Sequence, residues 1–160
     1  MLERSLVNYL GIAKSFPHIF YMITIKKFKN EDVDYILRWF ANGNNRKFQR
    51  TKIIDREGAL KLVTSSADKI VYCIFLDQEP IGYAMIKGIP DKPQIGINID
   101  EPFWGKGYGF EAMQLLEKEA KDKGCRKISL LVNEQNLRAI NLYKKLNYTD
   151  TNLKLMEKEI

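Results

Sequence analysis

The sequence predicts an α/β fold in one domain: a mixed, mainly antiparallel central sheet flanked by helices. Three observations carry that expectation. Alternating or continuous apolar runs at Met22–Phe28, Ile70–Leu76 and Ile81–Lys87 read as strands, and the last two are separated only by a short turn. Between and after them stand segments whose apolar residues recur at helical spacing. Late in the chain a helical segment separates two further strand-like runs, the strand–helix–strand order from which right-handed crossovers are built. At 160 residues the chain is long enough to bury a core of its own.

Each element has its own justification, in chain order. Residues 1–21 show a weak helical repeat (Leu2, Leu6, Leu10) that stops at Pro17, and Asn8 interrupts the apolar part where a signal peptide would be continuous. They are read as an N-terminal extension, with the domain proper spanning 22–160. Asn30 is placed to cap a helix whose apolar residues Val33, Ile36, Leu37 and Phe40 fall at i, i+3, i+4 and i+7. Residues 42–54, rich in Asn and basic side chains, read as a loop leading to a second short helix that Asp55 can cap. The tetrapeptide DQEP makes the two following strands a hairpin. A third run, Gln94–Asp100, ends at a glycine-rich stretch. Phe110–Lys123 is amphipathic and stops at Gly124, a good position for a left-handed helix end. Lys127–Val132 reads as a buried strand. Asn136 can cap a helix with Ala139, Leu142, Tyr143 and Leu146 on one face, and Tyr148–Ile160 reads as extended.

Composition closes off several functions. The longest apolar stretch, around Ile74, falls far short of the roughly 20 residues that cross a bilayer, so no membrane partner is expected. Cys73 and Cys125 stand far apart with no CxxC spacing. They read as reduced packing residues, which suits a cytoplasmic protein. With those two cysteines and one histidine, His18, the chain offers too few ligands for a structural zinc site, and no metal is expected. The net charge of +6 invites a nucleic-acid partner. Yet the lysines at 118, 121, 123, 144 and 145 spread over helix faces, where solvation and helix-dipole pairing account for them. No nucleic acid is expected either.

The stretch FWGKGYGFEAM, residues 103–113, carries the chemistry. Three glycines at alternate positions before a helix expose backbone N–H groups that can hold a phosphate. A dinucleotide fingerprint needs a third glycine at the sixth position, and counting from Gly105 that position is Phe110. A triphosphate loop needs Ser or Thr after its Gly-Lys, and Gly105-Lys106 is followed by Gly107. A phosphate or pyrophosphate site without either signature remains, beside the alternative of a glycine-rich turn that binds nothing.

The glycine stretch IGINIDEPFWGKGYGFEAM and, some 30 residues on, VNEQNLRAINLYKKLNY together resemble the GNAT superfamily of acetyl-CoA-dependent N-acetyltransferases. The resembling branch includes ribosomal-protein-alanine and aminoglycoside 6'-N-acetyltransferases, and the likeness covers residues 22–148 in element order. Trp104-Gly105-Lys106-Gly107-Tyr108-Gly109 is similar to that family's pyrophosphate motif, with Trp104 where Gln or Arg is usual. Asn136, Ala139 and Tyr143 meet its N-x-x-A-x-x-x-Y pattern. Asn147 replaces the usual Gly, and Asn tolerates the left-handed conformation such a helix end needs. The resemblance implies acetyl-CoA as acyl donor. The backbones of Ile97 and Ile99 would pair with its pantetheine arm, and residues 104–109 would take its pyrophosphate. Asn136 would cap its helix and reach the pantetheine amides, and Tyr143 would serve the departing thiolate as general acid. A solvated surface lysine accounts for Lys106 equally well.

The base is the weak point of that implication. Relatives often carry a carboxylate on the fourth strand, whereas here Gln94 and Asn98 occupy it and Asp100 and Glu101 stand at its end. Asp100 is the candidate, with a chain of water molecules as the alternative. The amine acceptor, a small molecule or a peptide, is left open, as is the choice between monomer and homodimer. A non-catalytic acyl-CoA-binding sensor remains the alternative to an enzyme. Residues 41–54 hold Arg46, Lys47, Arg50 and Lys52 and no carboxylate, so anionic or zwitterionic amines are expected to outperform polycationic aminoglycosides.

Overall fold

The computed structural model describes residues 21–48, 55–151 and 155–159. Residues 1–20 of the extension expected at 1–21, with His18, and the loop residues Arg50 and Lys52 lie outside the described residues. Strand β1 (Ile23–Lys27) leads through a tight turn into α1 (Val33–Ala41), the short α2 (Gly43–Arg46) and α3 (Arg56–Val63). The meander β2 (Lys69–Leu76), β3 (Glu79–Lys87) and β4 (Gln94–Ile99) follows, then α4 (Tyr108–Asp122), β5 (Lys127–Leu131) and α5 (Leu137–Lys145). Two strands, β6 (Thr149–Asp150) and β7 (Leu155–Glu159), close the chain. The seven strands form one sheet in the order β1-β2-β3-β4-β5-β7-β6, antiparallel at every junction except β4–β5.

Apolar side chains alternate across this sheet, so each face carries a core. On one face α4 buries Ala112, Met113, Leu116 and Ala120 against Ile74, Ile86 and Ile128. On the other, α1 and α3 bury Ile36, Trp39, Phe40 and Val63 against Val71, Cys73 and Tyr83. Both cysteines are free and buried.

Two local expectations fail for identifiable reasons. Asn30 does not cap α1: the chain first makes a single 3-10 turn over Asn30–Asp32, and no side chain caps the helix behind it. The segment after Ala41 is not all loop, because Asn42 accepts a hydrogen bond from the Asn44 amide (2.9 Å) and starts α2. The other helix ends behave as their residues suggest. Asp55 accepts from Gly58 N–H (2.7 Å), Asn136 accepts from Ala139 N–H (3.2 Å), and Gly124 adopts φ +82° after α4.

The feature that positions the site is the β4–β5 junction. Only Gln94 and Ser129 pair there, with Ser129 N–H donating to Pro93 O (3.0 Å), and beyond that point the strands part. Asp100 N–H donates to Ile81 O (2.8 Å) on the β3 side. Backbone polar groups alternate in direction along a strand, so those of Asn98 and Gly96 also face β3. Those of Ile97 and Ile99 therefore face the gap. This splayed edge is built into the sheet.

Candidate active site

A cavity of about 710 Å³ occupies the gap and reaches both faces of the sheet. On the α4–α5 side it is lined by Ile97, Ile99, Gly109, Phe110, Leu142 and Tyr143. On the α1–α3 side it is lined by Asn45, Phe48, Leu62, Tyr83, Met85 and Asn98.

The glycine loop forms one end. Asp100 accepts from Glu101 N–H (3.0 Å) and opens a 3-10 turn over Glu101–Phe103. Trp104 then folds back, its indole N–H donating to Ile99 O (2.6 Å). Gly105 and Gly107 take φ +75° and +90°, which a side chain resists, and α4 starts at once behind them. No side chain caps that helix, so its first amides and the positive end of its dipole are left to whatever enters the cavity. Gly109 sits deeper. A Cβ there would lie 3.4 Å from Leu142 and 3.6 Å from Ile97, in van der Waals contact with both, where helix and strand approach.

Helix α5 supplies the opposite wall. Asn136, Arg138, Ala139, Leu142 and Tyr143 all line the cavity. Tyr143 is 6% exposed and packs edge-on against Tyr148 with ring centroids 5.8 Å apart. Burial pushes its hydroxyl up to about 12. Arg138 lays its guanidinium on the Trp104 ring, 3.2 Å from the centroid, and joins the two walls. Burial lowers its pKa, while the charge of Glu101 acts in the opposite direction.

The residues singled out from sequence thus divide. Ile97, Ile99, Trp104, Gly105, Gly107, Gly109, Asn136 and Tyr143 come together around the cavity, whereas Lys106, Tyr108 and Asp100 are outside its lining. Lys106 lies over the Phe103 ring at 5.7 Å. Asp100 is committed to its turn and to Asn45 Nδ2, 2.6 Å away. Arg46 and Lys47 are exposed and outside the lining, and among the described residues the cation lining the α1–α3 side is Lys87. Sequence reasoning passed over Arg138, although its place two residues after Asn136 puts it on the first turn of the same helix. It missed Asn45 for lack of any signal, because that residue belongs to a helix too short to show a period.

Residues 29–148 match the profile of a family described as the Acetyltransferase (GNAT) family. Among curated proteins, an uncharacterized N-acetyltransferase, YycN, of Bacillus subtilis is 30% identical over 87 residues, which cover 51% of this chain and 56% of that protein. The chain thus spans about half the length of that curated relative. The fold superposes on aminoglycoside acetyltransferase AAC(6')-Ib in complex with coenzyme A, with a TM-score of 0.74 at 19% identity, over 86% of this chain and 95% of that one. It also superposes on RimL, a ribosomal L7/L12 alpha-N-protein acetyltransferase in complex with coenzyme A, with a TM-score of 0.74 at 15% identity, over 86% of this chain and 94% of that one.

Proposed function

The chain belongs to the GNAT acetyltransferase family, and from that premise we propose that it moves an acetyl group from acetyl-CoA to a primary amine by direct attack in a ternary complex. The observation that carries the proposal is the splayed β4–β5 edge, which ends at an uncapped helix N-terminus and two glycines of positive φ. An extended amide-bearing arm fits the strand edge, and a pyrophosphate fits the helix end. Arg138, stacked on Trp104, brings a cation to the position where the family usually carries its own polar or basic side chain. Acetyl-CoA, when bound, supplies the thioester that the amine attacks.

The chain's own groups divide the work. The Ile97 and Ile99 amides face the gap and are placed to pair with an amide-bearing arm and to polarise a carbonyl lying along it. The amine nitrogen forms the new C–N bond, the C–S bond breaks, and the proton lost by the nitrogen balances the one gained by sulfur. Tyr143, at about 12, is a weaker acid than an ordinary thiol near 8.5. Its hydroxyl therefore supports the departing sulfur by donating a hydrogen bond, with no need to surrender its proton outright. Asp100, being occupied, is assigned a positioning task, and water is assigned the proton from the amine. Residues 22–160 make up the proposed catalytic unit, with 1–21 an extension. Buried free thiols at Cys73 and Cys125 fit a reducing, cytoplasmic setting.

The alternative, a sensor that binds acyl-CoA without catalysis, shares the loop but gives Tyr143 no task in the cavity. The test is thiol release from acetyl-CoA across a panel of primary amines, run beside calorimetry with acetyl-CoA alone. Transfer to at least one amine is expected. Tight binding of acetyl-CoA with no release from any amine would favour the sensor.

A further inference from the structure

Two carboxamides on the acceptor side of the cavity have oxygens that are buried and unpartnered. Asn45, on α2, is 5% exposed and Asn98, on β4, is 8% exposed. Both line the cavity, and among the described residues neither Oδ1 has a hydrogen-bond partner. Buried carbonyl oxygens lacking a donor are uncommon, and one in a cavity wall points to a donor that arrives with a ligand. The orientation of Asn45 is not free. Its Nδ2 donates to Trp39 O (2.9 Å) and to Asp100 Oδ1 (2.6 Å), both acceptors, so the amide cannot be reversed and the oxygen is the end left over.

The charges around the cavity decide what that donor can be. Among the described residues, the titratable groups in its lining are Tyr83 and Lys87 from β3, Glu111 from α4, and Arg138, Tyr143 and Lys145 from α5. Burial raises the hydroxyls of Tyr83 and Tyr143, so both are neutral at pH 7. Glu111 is exposed on the first turn of α4, against the face of the sheet opposite Asn98. Asp100 is turned to Asn45 and to the Glu101 amide. Among the described residues, then, no carboxylate lines the acceptor side, and residues 49–54 contain none. An ammonium entering there would lose water and meet Lys87, while the carboxylates behind the wall are already engaged, Asp100 by Asn45 and Glu101 by Asn42 and Asn44.

We propose that Asn45 and Asn98 form the acceptor subsite, their carboxamide oxygens receiving the N–H groups of a neutral amine. The site thereby selects amines of low pKa, such as the α-amino group of a peptide or amino acid, over lysine-like alkylamines. This rests on the acetyl-transfer reading above. At pH 7 an α-amino group near 7.7–8.0 is neutral roughly a hundredfold or more of the time that a side-chain amine near 10.4 is.

Lysinamide blocked at its ε-nitrogen and lysinamide blocked at its α-nitrogen offer the two amines on one skeleton. With wild-type protein, kcat/KM measured from pH 6 to 10.5 is expected to favour the free α-amine about a hundredfold at pH 7. Each profile should rise with unit slope to the pKa of its own amine. Asn98→Asp installs the missing carboxylate and should narrow the preference at least tenfold. Asn98→Ala and Asn45→Ala should lower kcat/KM for both acceptors about tenfold or more, with acetyl-CoA affinity held. Equal rates or an ε-amine preference at pH 7, an unchanged preference in a folded Asn98→Asp, or full activity in both alanine variants would each overturn the subsite alone. Absence of transfer to every amine would overturn the acetyl-transfer reading with it.

Discussion

At Tyr143 a packing position coincides with the chemical task proposed for its hydroxyl. Its ring fills the wall between α5 and Tyr148, and the same burial pushes its pKa from an ordinary 10.0 up to about 12. A phenol held that high stays protonated, and so available as a hydrogen-bond donor, and gives up a proton poorly. Tyr143→Phe is therefore expected to lower kcat about ten- to a hundredfold, the range of a lost hydrogen bond to a charged partner, while the acetyl-CoA KM changes little. In the wild type the rate should show no alkaline fall from this group below about pH 11, because the protonated form is the active one and persists up to its raised pKa. A steep loss between pH 9 and 10 would contradict that. That Tyr143, Asn136 and the glycines would gather around one cavity was legible in the sequence, because their placement depends on spacing along the chain. Arg138, Asn45 and Asn98 were not assigned roles, because what matters about them is a partner supplied by another element: Trp104 for one, Asp100 and Trp39 for another, and an empty place in the hydrogen bonding for both carboxamides.

Helices show the same division between what is local and what is not. The ends at Asp55, Asn136, Gly124 and Asn147 follow from single residues, and the structure uses all four as their chemistry suggests. Asn30 looked equally suited to a cap, but the chain tightened into a 3-10 turn before α1, and no local signal distinguished the two outcomes. At four residues α2 is too short for any hydrophobic period. Asn147 is the most exposed to test. It closes α5 at φ +65°, with its N–H donating to Lys144 O (3.0 Å), in a conformation that costs most L-residues about 1–2 kcal/mol. Asn147→Gly should hold or slightly raise the urea midpoint, and Asn147→Ala should lower stability by about 1 kcal/mol. Because α5 carries Asn136, Arg138 and Tyr143, the alanine variant should also weaken acetyl-CoA binding, read by calorimetry. Ala and Gly behaving alike would mean that this helix end does not hold α5 in place.

Across the whole molecule, burial leaves a set of groups that keep their protons when folded. It raises Tyr72, Tyr83, Tyr143 and Tyr148, helped at Tyr72 by Glu119 and at Tyr148 by Glu117, and it pushes the Cys73 thiol up to about 12. In the unfolded chain the thiol titrates near 8.5 and the phenols near 10. Above those values the unfolded state holds fewer protons than the folded one, so stability is fully present below them and falls as pH rises. The urea midpoint is expected to be level from pH 6.5 to 8, to decline from about 8.5, and to fall more steeply above 10. A midpoint that climbs across that range would contradict the burial of these groups. The order of elements along the chain and the apolar faces that form the cores were largely legible, since alternation and helical period are properties of the chain itself. The parting of β4 from β5 was not, because no residue in either strand announces a missing partner. That parting also bears on traffic in the proposed reaction. The cavity is lined from both faces of the sheet, so a donor lodged against α4 and an acceptor lodged against α1–α3 would meet in the middle without sharing a doorway. On that reading neither would have to wait for the other, and each product would leave by the side from which its precursor came.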